Sequence, residues 1–220
     1  MGEARRRQQQ EVAQRARFGS IDFPRVAAAV RKLMTAASAQ PGSDALQHAD
    51  LARHLLALEG LDSDVVIGFA AWRVGPGDGD VVIHGGGHDP SVTVVRQREN
   101  ELGYHAWLET GGHVFDVTTY QLAAKAADLD RLDGRSTTVS WCPDFVWVPK
   151  AEIASFVRVR QETAGLMYYE RDAYLQSVVQ KRAAALRAED LAAVEFVYRH
   201  PGIEVRGGGS GGSAVRRLRP

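Results

Sequence analysis

A chain of 220 residues, 45% hydrophobic and 25% charged, is long enough for one well-filled domain with helical appendages, and it has the make-up of a soluble globular protein. Its 27 Lys and Arg balance 27 Asp and Glu, which argues against whole-surface attraction to nucleic acid or to an anionic membrane. No apolar run approaches the roughly 18 residues of a membrane span, the N-terminus lacks the apolar core of a secretory signal, and the lone cysteine, Cys142, excludes an internal disulfide framework. A cytoplasmic location is the expectation.

Residues 3–17, rich in Arg and Gln, suit a solvated helix, and residues 1–20 are set apart as an extension. Apolar residues at Val26, Ala29, Val30, Leu33 and Met34 recur at helical spacing and predict a helix over 23–39, which Pro41-Gly42 breaks. Ser43 or Asp44 then offers an N-cap for a second helix through Leu58, with Ala45, Ala49, Ala52 and Leu56 as its inward stripe and Gly60 as its stop. The small residues on that stripe let a sheet approach closely.

The pattern then changes to strands. Residues 65–72 form an apolar run fit for a buried strand, and residues 81–84 follow the turn GPGDGD. Residues 103–109 and 113–118 flank Gly111-Gly112, a hairpin signal. Residues 121–131 read as a short helix, 145–148 and 155–159 as short strands, and 174–187 and 189–198 as helices. Helices first, then a mainly antiparallel sheet, then helices again define an α+β domain over residues 21–206. After it come GGGSGGS, a flexible coil by composition, and a distinct basic peptide, AVRRLRP, from Ala214 to Pro220. That tail reads either as an ordinary flexible terminus or as an engineered tether carrying a peptide.

The chemistry concentrates in Y104-H-A-W-L-E109 and G111-G-H-V-F-D-V-T118. A hairpin there puts His105 and Asp116 on neighbouring strands, where a carboxylate takes one imidazole nitrogen and leaves the other free as a base. Thiol chemistry needs such a pair, because a thiol is a weak nucleophile until an imidazolium stabilises its thiolate.

H-A-W-x-E followed by an aromatic-Asp-x-Thr run resembles the core of the transglutaminase-like superfamily. The resemblance covers roughly residues 40–120 and implies a papain-like fold with N-terminal helices on an antiparallel sheet or half-barrel. It further implies a cysteine-dependent peptidase, amidase or acyltransferase acting on a peptide or protein amide, without a cofactor. The slot matching the family's nucleophile, at the start of the helix before strand V65-V-I-G-F-A-A-W72, is Ala45. The catalytic set implied is therefore Ala45, His105 and Asp116, in a chain without its nucleophile.

Three explanations follow: an inactivating Cys-to-Ala substitution with AVRRLRP as tethered substrate, a non-catalytic peptide-binding relative, or a thiol enzyme that uses Cys142. Trp72, Trp107 and Glu109 are the expected substrate-binding residues, Glu109 as an acidic rim suited to arginines. His84, His88 and His113 lack the spacing of a helical zinc motif, and His48 and His54 are expected at the surface or the edge of the core. Met167, Tyr168, Tyr169 and Tyr174 read as a packing patch or a substrate wall.

Overall fold

The structure, a computed structural model, describes residues 18–37, 44–85 and 103–206. The expected helix over residues 3–17, His88, the Gly/Ser run and the peptide from Ala214 to Pro220 lie outside the described residues.

Helix α1 (Phe23–Ala37) buries Phe23, Val26, Ala27, Ala29, Val30, Leu33 and Met34, the stripe its spacing predicts. The Asp22 carboxylate accepts from the Arg25 backbone N–H and closes its first turn. Helix α2 (Ala45–Leu58) buries Ala45, His48, Ala49, Leu51, Ala52, Leu55 and Leu56. At its end the Leu61 N–H reaches the Leu56 carbonyl and the Gly60 N–H the Ala57 carbonyl, with Gly60 at φ 75°, so a residue free to adopt the left-handed region is needed there.

Strand β1 (Asp64–Arg73) is the centre of the sheet and is buried without a break from Val66 onward, as expected of a strand covered on both faces. Strands β2 (Val81–His84), β3 (His105–Thr110), β4 (His113–Asp116) and β5 (Val146–Pro149) complete an antiparallel order β2-β1-β3-β4-β5, and β6 (Met167–Arg171) also pairs with β1. Helices pack on this curled half-barrel, an α+β architecture.

The register explains how the site is built. Gly68 pairs with both His105 and Arg171, and Ala70 with both His84 and Tyr169. A strand has two edges, so β2 and β3 lie end to end along one edge of β1 and β6 along the other. His84 and His105 thus occupy consecutive same-face positions of one interrupted strand, although 20 residues separate them in sequence (105 − 85). At Gly68 the backbone around Glu170 and Asp172 fills the space that a β-carbon would take.

The two faces are covered differently. Ile67, Phe69, Ala106, Leu108 and Phe115 join α1, α2 and helix α6 (Ala188–Arg199) in the largest apolar cluster. On the other face Ala70, Trp72 and Val82 pack with Leu122 and Ala126 of helix α3 (Leu122–Asp133).

Two expectations are corrected. Residues 155–159 are not a strand: Ser155 caps helix α4 (Phe156–Gln161) by accepting from the Arg158 N–H, and Arg158 pairs with Glu162 one turn on. The alternation of Val157 and Val159 suggested a strand, yet only Val159 is buried. The helix expected over 174–187 is α5 (Ala173–Arg182), started by the Asp172 carboxylate on the Leu175 N–H and ended before Ala183, which is extended. Strand β6 was not expected as a strand at all.

Candidate active site

His105 opens β3 and Asp116 closes β4, and both side chains are fully buried. Nε2 of His105 lies 2.9 Å from Oδ2 of Asp116. The same Oδ2 accepts from the Tyr169 hydroxyl at 2.9 Å, and that hydroxyl accepts from Trp72 Nε1 at 3.0 Å. Oδ1 accepts from the Thr118 N–H at 2.9 Å and its hydroxyl at 2.8 Å. Every oxygen of the carboxylate is therefore held by donors, as a buried charge requires. His105 Nδ1, also buried, has no hydrogen-bond partner among the described residues.

The electrostatics define protonation states. Burial pushes the Asp116 carboxyl up, but His105, Lys125 and the Thr118 N–H together outweigh it and hold the group well below the usual carboxylate range. Burial lowers His105 beneath its ordinary 6.5, Asp116 opposing and Lys125 and His48 assisting. The pair at neutral pH is thus a carboxylate accepting from the Nε2–H of a neutral imidazole, which turns the lone pair of Nδ1 outward from the pair. Burial, and then the charge of Asp116, raises Tyr169 well above 10, so its hydroxyl stays a donor.

The aromatic residues surround His105. Trp72 meets it edge-on at 4.9 Å between ring centroids, His84 at 5.5 Å, and Trp107 lies nearly parallel at 6.1 Å. Trp72 and Trp107 are almost wholly buried and wall in the imidazole. The Glu109 carboxylate receives Lys150, Arg171 at 3.1 Å and Trp107 Nε1 at 3.3 Å.

Ala45 is the first residue of α2, as expected, with Asp44 at the N-cap position but without a side-chain capping bond. It is buried among the residues of the α2 face, with Ala106 and Leu108, whereas the neighbours of His105 belong to the Trp72 face. The charges of His48 and Asp44, at the start of α2, act on His105 and Lys125 respectively. His48 is fully buried, not at the core edge. It bonds the Asp44 carbonyl at 3.0 Å and the Tyr120 hydroxyl at 2.9 Å, which ties α2 to the segment just beyond Asp116.

His54 pairs with Glu195 of α6 at 2.8 Å, and His113 stacks on Trp147. The exposed Cys142 aims its thiol at the carbonyls of Thr119 and Tyr120, at 3.4 and 3.5 Å. Among the described residues no group of three His, Cys, Asp or Glu is arranged to hold a metal ion, and no helix is long and apolar enough to cross a membrane.

Sequence reasoning found the His–Asp pair and missed what surrounds it. Tyr169 was seen only as part of an aromatic patch, because nothing local says that β6 returns alongside β1. Lys125 and His84 were missed as members of the same cluster, since only the register and the packing of α3 bring them there.

No family model and no curated protein matches this chain. It is similar in fold to the solved structure of genomics target APC5867, with a TM-score of 0.53 and 14% identity over 80% of this chain and 78% of that one. At that identity the likeness speaks for the fold alone.

Proposed function

We propose that the chain carries the site of a transglutaminase-like, cysteine-dependent acyl-transfer enzyme from which the nucleophile is missing, so that it binds a peptide or protein amide without forming an acyl intermediate. The observation that carries this reading is the buried His105–Asp116 pair, with every carboxylate oxygen bonded and Nδ1 of the imidazole unpaired. In such an enzyme the thiol at the start of the helix attacks the carbonyl carbon, its thiolate favoured by the helix N-terminus and the imidazolium. The imidazole then protonates the leaving amine, and Asp116 fixes its tautomer. With a methyl group at Ala45 the first of these steps has no agent, and binding is what is left. A peptide ligand such as AVRRLRP, in cis or from a neighbouring molecule, fits this reading.

The thiol alternative at Cys142 is less favoured, because that sulfur is engaged by backbone carbonyls and none of its contacts is an imidazole. The test is Ala45→Cys. Treated with iodoacetamide at neutral pH, that variant is expected to be alkylated at position 45 faster than at Cys142, and more slowly at position 45 once Asp116→Asn is added. Equal rates at the two cysteines, unaffected by Asp116→Asn, would remove the basis for the assignment.

A further inference from the structure

Three buried nitrogens around Trp72 and His105 have no hydrogen-bond partner among the described residues: Nδ1 of His84, Nδ1 of His105 and Nζ of Lys125. Buried polar groups are ordinarily satisfied, so these orphans point to a role other than stability. Nζ of Lys125 lies 5.4 Å from the centroid of Trp72, whose ring meets His105 edge-on. His84 also stands beside His105 and donates to the Tyr104 carbonyl. The Lys125 charge acts on His84, His105 and Asp116 alike.

An ammonium with no acceptor in a buried site is poorly solvated, and losing its proton relieves this. Burial indeed lowers Lys125 below its ordinary 10.5, against the opposing charges of Asp116 and Asp44. A desolvated lysine on the same tryptophan as a neutral imidazole with a free lone pair offers an amine nucleophile and a proton carrier in one site. The nucleophile position of the fold holds alanine, but the site still contains a nucleophile.

We propose that Lys125 forms an imine with a small aldehyde or ketone, with His105 as the proton carrier. The amine lone pair attacks the carbonyl carbon, and the C=O π pair moves to oxygen. His105 Nδ1 takes the proton from nitrogen and delivers it to that oxygen, giving a carbinolamine. The imidazole, reprotonated from solvent, gives a second proton to that oxygen; the nitrogen lone pair forms the C=N bond as the C–O bond breaks and water departs, and the proton left on the iminium nitrogen returns through Nδ1 to solvent. One carbonyl and one amine give one imine and one water, with no oxidant or reductant. This chemistry needs no thiol at position 45, so its failure leaves the binding reading intact.

The chain has four lysines, Lys32, Lys125, Lys150 and Lys181, which makes the test site-resolved. The unaltered protein is treated at neutral pH with acetaldehyde and cyanoborohydride, which reduces the imine to an ethylamine, and the four sites are timed by peptide mass spectrometry. Lys125 is expected to be ethylated before exposed Lys181, and the preference is expected to vanish in guanidinium. His105→Gln is expected to slow Lys125 about a hundredfold, the scale of a lost acid–base group, without altering Lys181. Burial alone predicts the opposite order. Lys125 reacting last in the unaltered chain overturns the proposal whatever the variant does, and so does a Lys125 rate that ignores His105→Gln in a folded variant.

Discussion

His105 and Asp116 meet across the hairpin at 2.9 Å, the first residue of one strand against the last of the next, with neither side chain reached by solvent. A buried carboxylate so placed is expensive unless each of its lone pairs finds a donor. Asp116 finds three further donors, the Thr118 N–H, the Thr118 hydroxyl and the Tyr169 hydroxyl. Asp116→Asn keeps the shape but turns one oxygen into an NH2 group facing donors. We expect a loss of about 3 kcal/mol in urea unfolding, the scale of a broken buried pair. A loss below about 0.5 kcal/mol, the level of an ordinary surface change, would contradict the bonding described.

Tyr169→Phe is expected to be milder. It removes one of two donors to Oδ2 and also leaves Trp72 Nε1 without its acceptor. About 1–2 kcal/mol is expected, between a lost hydrogen bond and a stranded buried donor. The double variant with Asp116→Asn should cost less than the sum, because the two residues share one network. Additive losses would mean that the Tyr169 hydroxyl and the carboxylate act independently.

The α+β order, the two early helices, the hairpin and the His–Asp pair were legible because each is written locally: in periodicity, in Gly111-Gly112, and in two short motifs eleven residues apart (116 − 105). Residues 155–159 misled because a strand-like alternation of valines was outweighed by the cap at Ser155. Tyr169, Lys125 and His84 were illegible as site residues for a different reason. Each reaches the site through long-range pairing, β6 along β1, α3 across Trp72 and β2 in line with β3, and none of these pairings has a local signature. Glu109 was legible as an acid, but its partners Lys150 and Arg171 come from distant segments.

Gly68→Ala tests the close approach of β6 to β1. A β-carbon there would lie 1.9 Å from the Glu170 carbonyl oxygen and 2.9 Å from the Asp172 N, both backbone atoms that cannot swing aside. We expect a loss of about 3 kcal/mol, at the upper end for overpacking, visible as a lower urea midpoint with an unchanged slope. Full stability in Gly68→Ala would show that β6 does not approach β1 as closely as described.

Acid should destabilise the fold in two stages. His84 and His105 both have folded values below the ordinary 6.5. The unfolded chain therefore binds protons first, and stability present above 6.5 is lost as pH falls through and below that value. Asp116 is also depressed in the folded state, so its contribution is present above the ordinary 3.8 and is lost as pH falls below it. Unfolding free energies measured from neutral pH downward should fall from about pH 6.5. His84→Gln and His105→Gln should each flatten the first stage. A profile flat between neutrality and the carboxylate range would mean that burial does not lower these imidazoles below their unfolded values.

Lys125→Met separates a residue kept for stability from one kept for chemistry. The side chain is buried, its Nζ has no hydrogen-bond partner, and its stem packs over Trp72 among apolar residues of α3. Methionine fills a similar volume without a charge. Replacing a poorly solvated ammonium by an apolar group of like shape is expected to stabilise, by about 1–2 kcal/mol at neutral pH, although the charge opposite Asp116 and Asp44 is lost. The pH dependence supplies the sign. Lys125 has a folded value below 10.5, so the wild-type penalty is fully present below that folded value and fades as pH rises through it towards 10.5. The advantage of Lys125→Met should therefore be largest at neutral pH and shrink in alkali, measured as the difference between two urea titrations. A variant less stable than wild type at neutral pH would mean that the ammonium, through Asp116, Asp44 and the Trp72 ring, is itself a stabilising element of the fold.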